Sequence, residues 1–284
     1  MAEIIPKLVA IAAIIAVPAT SLGMGLLFEK PHLRLLADHT GMIFRYSLAM
    51  FVIMPAIAAV LFYFDVTNKI VWGGIFLVSI SPIMPSIVGK SIQEDKHSFI
   101  KLAWFVIALI YSMFLIPLSL IAIKSVLGLD FELGYSQLII KLLLLFIIPL
   151  SAGFLIRAVL PEKAPAIAKI VETVGKFAGL ALVILLLIVA VAEISKLTLT
   201  AVLLVLGFAL LSLIVGVILG YPEKSSGYVL AGSLLMRLPA PAIIFAQIND
   251  TVQEHLPVIL LYLIIGTLMY KVLDSIHNKK RSGG

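Results

Sequence analysis

Cysteine is absent from this 284-residue chain. Without thiols there is no disulfide, no thiolate nucleophile and no thiolate metal site. Charge is also scarce, at 13% of residues against about 25% in a soluble domain. No histidine pair or acidic cluster has metal-ligand spacing, and no glycine-rich phosphate loop occurs. Neither a nucleophile–base pair nor paired acids fall at the middle of an apolar run, so enzyme chemistry is not expected. No cofactor is expected except, at most, a sodium ion. No hydrophilic stretch is long enough to fold as a separate soluble domain.

Apolar residues take up the space that charge leaves: 62% of the chain, with a mean hydropathy of +1.19. Runs of about 20 apolar residues recur along the whole length, each sufficient for a hydrocarbon core of about 30 Å. They are far stronger than the alternating signal of a membrane β-barrel strand. The sequence predicts an all-α membrane protein with nine transmembrane helices, near residues 4–28, 43–64, 70–95, 98–124, 137–159, 166–194, 197–220, 227–248 and 255–275. The N-terminal stretch lacks a charged n-region and a small-residue cleavage site, so it reads as a retained span and not a signal peptide. Two longer connections, 29–42 and 125–136, read as segments lying along the interface. Pro55, Pro117 and Pro149 read as ordinary helix kinks.

The basic residues divide unequally between the two faces that nine spans define. Lys7, Lys69, Lys124, Lys141 and Lys196 fall on the N-terminal face. Lys30, Arg34, Lys96, Arg157, Lys163, Lys169, Lys224, Lys279, Lys280 and Arg281 fall on the other. Cytoplasmic loops carry the excess of Lys and Arg, which predicts a multi-pass protein of the cell membrane, plasma or inner, with its N-terminus outside and C-terminus cytoplasmic. The net charge of +6 thus reads as orientation in a lipid bilayer, with no nucleic-acid partner expected.

The third and eighth predicted spans resemble each other. At a constant offset of 157 residues, "FDVTNKIVWGGIFLVSISPIMP" falls on "YPEKSSGYVLAGSLLMRLPAPA", so that Pro82 meets Pro239 and Leu77 meets Leu234. Each segment follows a long span and a short turn, then breaks at closely spaced prolines: Pro82 and Pro85, Pro239 and Pro241. The two copies lie five spans apart and enter the membrane from opposite faces. Interrupted segments at corresponding positions of two halves mark an inverted-repeat transporter, and backbone freed at such breaks is tolerated only under protein cover or beside a watery cavity. With about 1.5 Å of rise per residue, both breaks come near the bilayer midplane. They are expected to cross there as two unwound helices.

Arg237 sits at the second break. Arginine at a helix centre costs about 2.5–3.5 kcal/mol on insertion scales. Two roles are open for it: a fixed cation facing an anionic substrate, or a brace bonded to unwound carbonyls. Since it does not release its proton, it is no proton-coupling group by itself. Ser81, Pro82, Pro85, Ser86, Ser233, Arg237, Pro239, Pro241, Gln247 and Asn249 make up the candidate crossover and substrate-binding set. Gln247 and Asn249 read equally as substrate contacts or helix caps, and Tyr111 and Ser112 as residues reaching the core cavity. Lys90 reads as a coupling residue or a side chain snorkelling to the cytoplasmic face. Glu172 reads as a proton carrier or as the local partner of Lys176, four residues on.

The stretches "MFVIMPAIAAVLFYF", "GGIFLVSISPIMPSIVGK", "FLIPLSL", "FIIPLSAGFLIR" and "LLMRLPAPAIIFAQIN", in that order over about residues 10–270, resemble the bile acid:sodium symporter family. The resemblance implies the family's nine-span form, with repeats at 1–136 and 137–284. It also implies a core domain from 43–124 and 197–275 whose third and eighth spans cross, and a panel domain from 4–28 and 137–194 against which the core moves. Members import organic anions on a sodium gradient. Sodium-coupled members carry small polar residues after the first crossover proline; here Ile83, Met84, Pro85, Ser86, Ile87 and Val88 follow it, with one side-chain oxygen among them. Where those members hold a Glu and a Gln as ligands, this chain has Ser233 and Arg237. Lys101 falls near a further ligand position, or else marks a solvated helix start.

The expected function is a secondary transporter of a small organic anion, working by alternating access with Arg237 in place of a coupled cation. One alternative keeps sodium symport through Ser86, Ser233 and Gln247. The other is a structural or sensory membrane protein that does not transport. Substrate and oligomeric state are not legible.

Overall fold

The computed structural model describes residues 4–28, 38–84, 96–127, 134–221 and 224–282. Among these residues the secondary structure is helical, with no strand beyond one isolated bridge. We number the helices α1 (Ile4–Leu27), α2 (Thr40–Phe64), α3 (Lys69–Ser79), α4 (Lys96–Leu127), α5 (Ser136–Val159), α6 (Ala164–Ile194), α7 (Leu199–Gly220), α8 (Lys224–Leu235), α9 (Pro239–Ile248) and α10 (Val252–Ser282).

Helices α2, α4, α5, α6, α7 and α10 are each long and apolar enough to cross a membrane. Their apolar side chains face outward as well as inward: Phe114, Leu155, Phe177, Val191 and Ile218 are all well exposed. In water such a surface would drive association; in lipid it is the solvated face. The chain is thus built as a multi-pass membrane protein. The expected third and eighth spans differ from the rest. Helix α3 stops at Ser79 after 11 residues, and α8 and α9, of 12 and 10 residues, are separated by extended chain at Met236–Leu238. Prolines set these stops, because Pro82 and Pro239 have no N–H to carry a helix onward.

Pro55 and Pro149 do more than kink their helices. Each follows a π turn, Ala49–Ile53 in α2 and Leu143–Ile147 in α5. Met54 N–H reaches back five residues to Ala49 O, and Ile148 N–H to Leu143 O. The next donor in that register is the proline, which has none.

Helix α1 lies along α5 and α6, with Phe28 edge-on to Phe154 at 5.1 Å. Gly25 and Gly153 make the closest approach: a Cβ on Gly25 would collide with Leu150 O, and one on Gly153 with Leu22 O. The main core gathers residues of α2, α3, α4 and α7–α10 and is continuous with Val17 and Met24 of α1 and Leu138, Leu142, Phe146 and Leu150 of α5. On one face His255 Nδ1, at the start of α10, lies 3.2 Å from Ile70 O at the start of α3. On the opposite face Arg45 donates to Tyr221 O, and the Tyr228 hydroxyl donates to Asp274 while its ring stacks on His277.

A short turn, Val66–Asn68, joins α2 to α3. Asp65 organises it: the carboxylate accepts from Thr67 Oγ1 at 2.6 Å, Trp72 Nε1 at 3.0 Å and Asn68 Nδ2 at 2.9 Å, as well as from Thr67 N–H. The Thr67 hydroxyl, then Trp72 and Asn68, hold its pKa down from 3.8 to about 2. A depressed folded pKa contributes stability that is present above the unfolded value and is lost as pH falls through the folded one. The Trp72 indole N–H resonance is therefore expected to stay constant down to about pH 4 and to titrate with a midpoint near 2. A midpoint at 3.8 would mean that these bonds do not hold in solution.

Candidate functional site

The chain breaks meet at the centre of the core. Residues 82–84 and 236–238 run antiparallel, with Ile83 opposite Arg237. Two backbone bonds close the pair: Met84 N–H to Met236 O and Leu238 N–H to Pro82 O, both 2.8 Å. Main chain that has left its helices is thereby satisfied across the break, as it must be where water is absent.

Arg237 completes what the crossing strands leave open. It is 2% exposed. Nη1 donates to Ser81 O at 2.9 Å, Nε to Leu234 O at 3.2 Å and Nη2 to Met50 O at 3.4 Å. Each acceptor has lost its regular helical donor. Four residues beyond Ser81 stands Pro85, which has no N–H. Four beyond Leu234 stands Leu238, whose N–H is taken by Pro82 O. Five beyond Met50, in the π register, stands Pro55. The guanidinium replaces three absent backbone donors with its planar fork of N–H groups. Among the described residues no carboxylate pairs with it. A full positive charge thus stays at the crossover, bonded to carbonyl oxygens and met by no carboxylate of the described residues.

The Tyr262 hydroxyl, from α10, donates to the same Leu234 O at 2.8 Å and lies 3.3 Å from Ser212 Oγ. Sequence reasoning missed Met50, Ser212 and Tyr262. Pro55 was the available signal for the first, since it strips a donor from its own helix. For Tyr262 the signal was its hydroxyl, set in the apolar run "VILLYLIIG".

The other candidates fall in several places. Ser81 and Ser233 are fully buried beside the crossover, but their hydroxyls donate locally, Ser81 back to Leu77 O of α3 at 3.0 Å and Ser233 within α8 to Val229 O at 2.7 Å. Pro82 and Pro241 are buried, and Pro239 opens α9 at its first position, where its missing N–H costs nothing. Gln247 is exposed on the far turn of α9, away from the crossover. Asn249 follows α9 and caps it, Nδ2 donating to Phe245 O at 3.1 Å. Ser112 is buried and bonded to Leu109 O, whereas Tyr111 is exposed. Glu172 and Lys176 form the local ion pair at 2.8 Å, half-exposed on α6. Pro85, Ser86 and Lys90 lie outside the described residues, as does the side chain of Lys101.

No protein-family model matches the chain, and neither does any curated protein.

Proposed function

We propose that this protein is a secondary transporter of a small organic anion, working by alternating access around the crossover, with Arg237 as a built-in cation. The observation that carries this reading is the buried guanidinium, unpaired with any described carboxylate, at the meeting point of two broken segments. Its charge, with the N-terminal end of the α9 dipole beside it, favours an anion bound nearby. It also opposes a sodium ion at the same carbonyls, which are already bonded.

In this reading the chain crosses the membrane nine times, the broken third span containing α3 and the broken eighth formed by α8 and α9. The repeats are 1–136 and 137–284. The close packing of α1 with α5 and α6 supports a panel of those helices, against which the core of α2–α4 and α7–α10 moves. The N-terminus lies outside and the C-terminus in the cytoplasm, following the basic residues. Substrate binds between panel and core beside the crossover, and the membrane is the plasma or inner cell membrane.

Uptake of radiolabelled small carboxylates into proteoliposomes, with and without a sodium gradient, tests this. Saturable uptake at equal rates in sodium and choline media is expected. Uptake that requires sodium would favour a symporter in its place, and no uptake of any anion would favour a structural or sensory protein.

A further inference from the structure

A cavity lies away from Arg237. It sits between the crossover and the face that carries the α2–α3 and α9–α10 turns, and has a volume of about 140 Å³. Its depth is fixed by Leu77, about one helical turn before Ser81, and Phe245, about two turns after Arg237. The walls are Phe76, Leu77, Leu120, Ile123 and Phe245, from three helices. Asn249, Thr251 and His255 stand together at one side.

The chemistry of the lining selects an occupant. Among the described residues no Lys, Arg, Asp or Glu contributes to it, so an ionised group drawn inside would find no counter-charge among them. Along the apolar walls a water would lack the two to four polar partners it needs, whereas an apolar space of about 150 Å³ accepts a benzene-sized molecule. The polar side is differently equipped. Ile70 O only accepts, so His255 Nδ1, 3.2 Å away, carries the proton and Nε2 presents a lone pair. Gly73 makes room for this ring: a Cβ there would come within 2.9 Å of His255 Cε1. Asp250, at φ 54°, turns the chain between Asn249 and Thr251.

We propose that this cavity binds a small amphipathic molecule, its apolar body one aromatic ring or a short alkyl chain in size, with a neutral hydrogen-bonding head at Asn249, Thr251 and His255. The site does not depend on the transport reading, since it uses neither Arg237 nor the crossover strands.

The probe is 4-fluorobenzyl alcohol, followed by ¹⁹F NMR as it is titrated into the full-length protein in micelles. Saturable binding at one site is expected. Leu77→Phe, which fills the cavity from α3, and Ile123→Phe, which fills it from α4, should each weaken binding by about tenfold or more, and His255→Ala should weaken it about fivefold. Because the two filling variants act from different helices, loss of one to misfolding leaves the other to decide. A signal that rises linearly without saturation, as in empty micelles, would overturn the proposal. So would saturable binding that neither filling variant alters.

Discussion

Arg237→Leu is expected to lower the unfolding free energy by about 3–5 kcal/mol, a loss seen for few single substitutions. The size follows from what leucine strands. Met50 O and Ser81 O lose their guanidinium donors, whereas Leu234 O keeps the Tyr262 hydroxyl, and each buried group left unmet costs about 1–3 kcal/mol. Burying a neutral side chain instead of a charge offsets part of that loss. Nor do the helices supply replacements: residues 55 and 85 are prolines, and Leu238 N–H is held by Pro82 O. Arg237→Lys should recover less than half of the loss, because one ammonium does not reproduce a fork reaching three directions. Hydrogen exchange separates this from general loosening: the amides of Met84 and Leu238, which close the crossing, should lose protection before those of α7. Denaturant unfolding that shows a loss under about 1 kcal/mol for Arg237→Leu would contradict the bracing role.

The second large effect is expected at the contact of α1 with α5. Gly153→Ala should destabilise by about 2–3 kcal/mol, and Gly153→Leu should prevent the two helices from docking. Here one helix's backbone lies on the other's: a Cβ on Gly153 would meet Leu22 O and the Gly25 Cα at 2.8 Å, and there is no side chain to yield. Membrane helices have no hydrophobic drive to associate, so close backbone packing between small residues supplies the attraction. Since Gly25 and Gly153 share one contact, the double alanine variant should cost little more than the worse single one, unlike distant sites that add. Met84 and Leu238 should keep their exchange protection in it. Simple additivity of the two single losses would show that the glycines act separately.

Much of this was legible in the chain. The six long apolar helices follow directly from hydropathy, since a run of that length and composition has one stable solution in lipid. The broken segments were legible as well, because proline removes a donor wherever it stands, and the positions of Pro82 and Pro239 located where helices α3 and α8 give out. What periodicity did not give was facing. Helix α4 is apolar on every side, so nothing in its residues distinguishes lipid contact from core. Gln247 read equally as a substrate contact or a helix cap, and its place more than two turns along α9 on an exposed face was not legible from spacing. Pro55 and Pro149 read as kinks, whereas their π turns change which carbonyl is left open. The glycine contact depends on how α1 and α5 meet, which neither segment shows alone. Arg237 itself was conspicuous, but two of its three acceptors, Ser81 O and Met50 O, come from segments far from it in sequence.

The central claim is that the guanidinium fills the place of a cation at the crossover. The most direct measurement is thermal unfolding of the wild-type protein and of Arg237→Gln, each in sodium chloride and in choline chloride of equal ionic strength. The wild type should unfold at the same temperature in both salts. Arg237→Gln should unfold earlier in both and recover part of the loss in sodium alone, as a small cation takes up the vacated carbonyls. A wild type stabilised by sodium and not by choline would contradict the claim, since the protein would then hold its cation elsewhere and Arg237 would be only a brace.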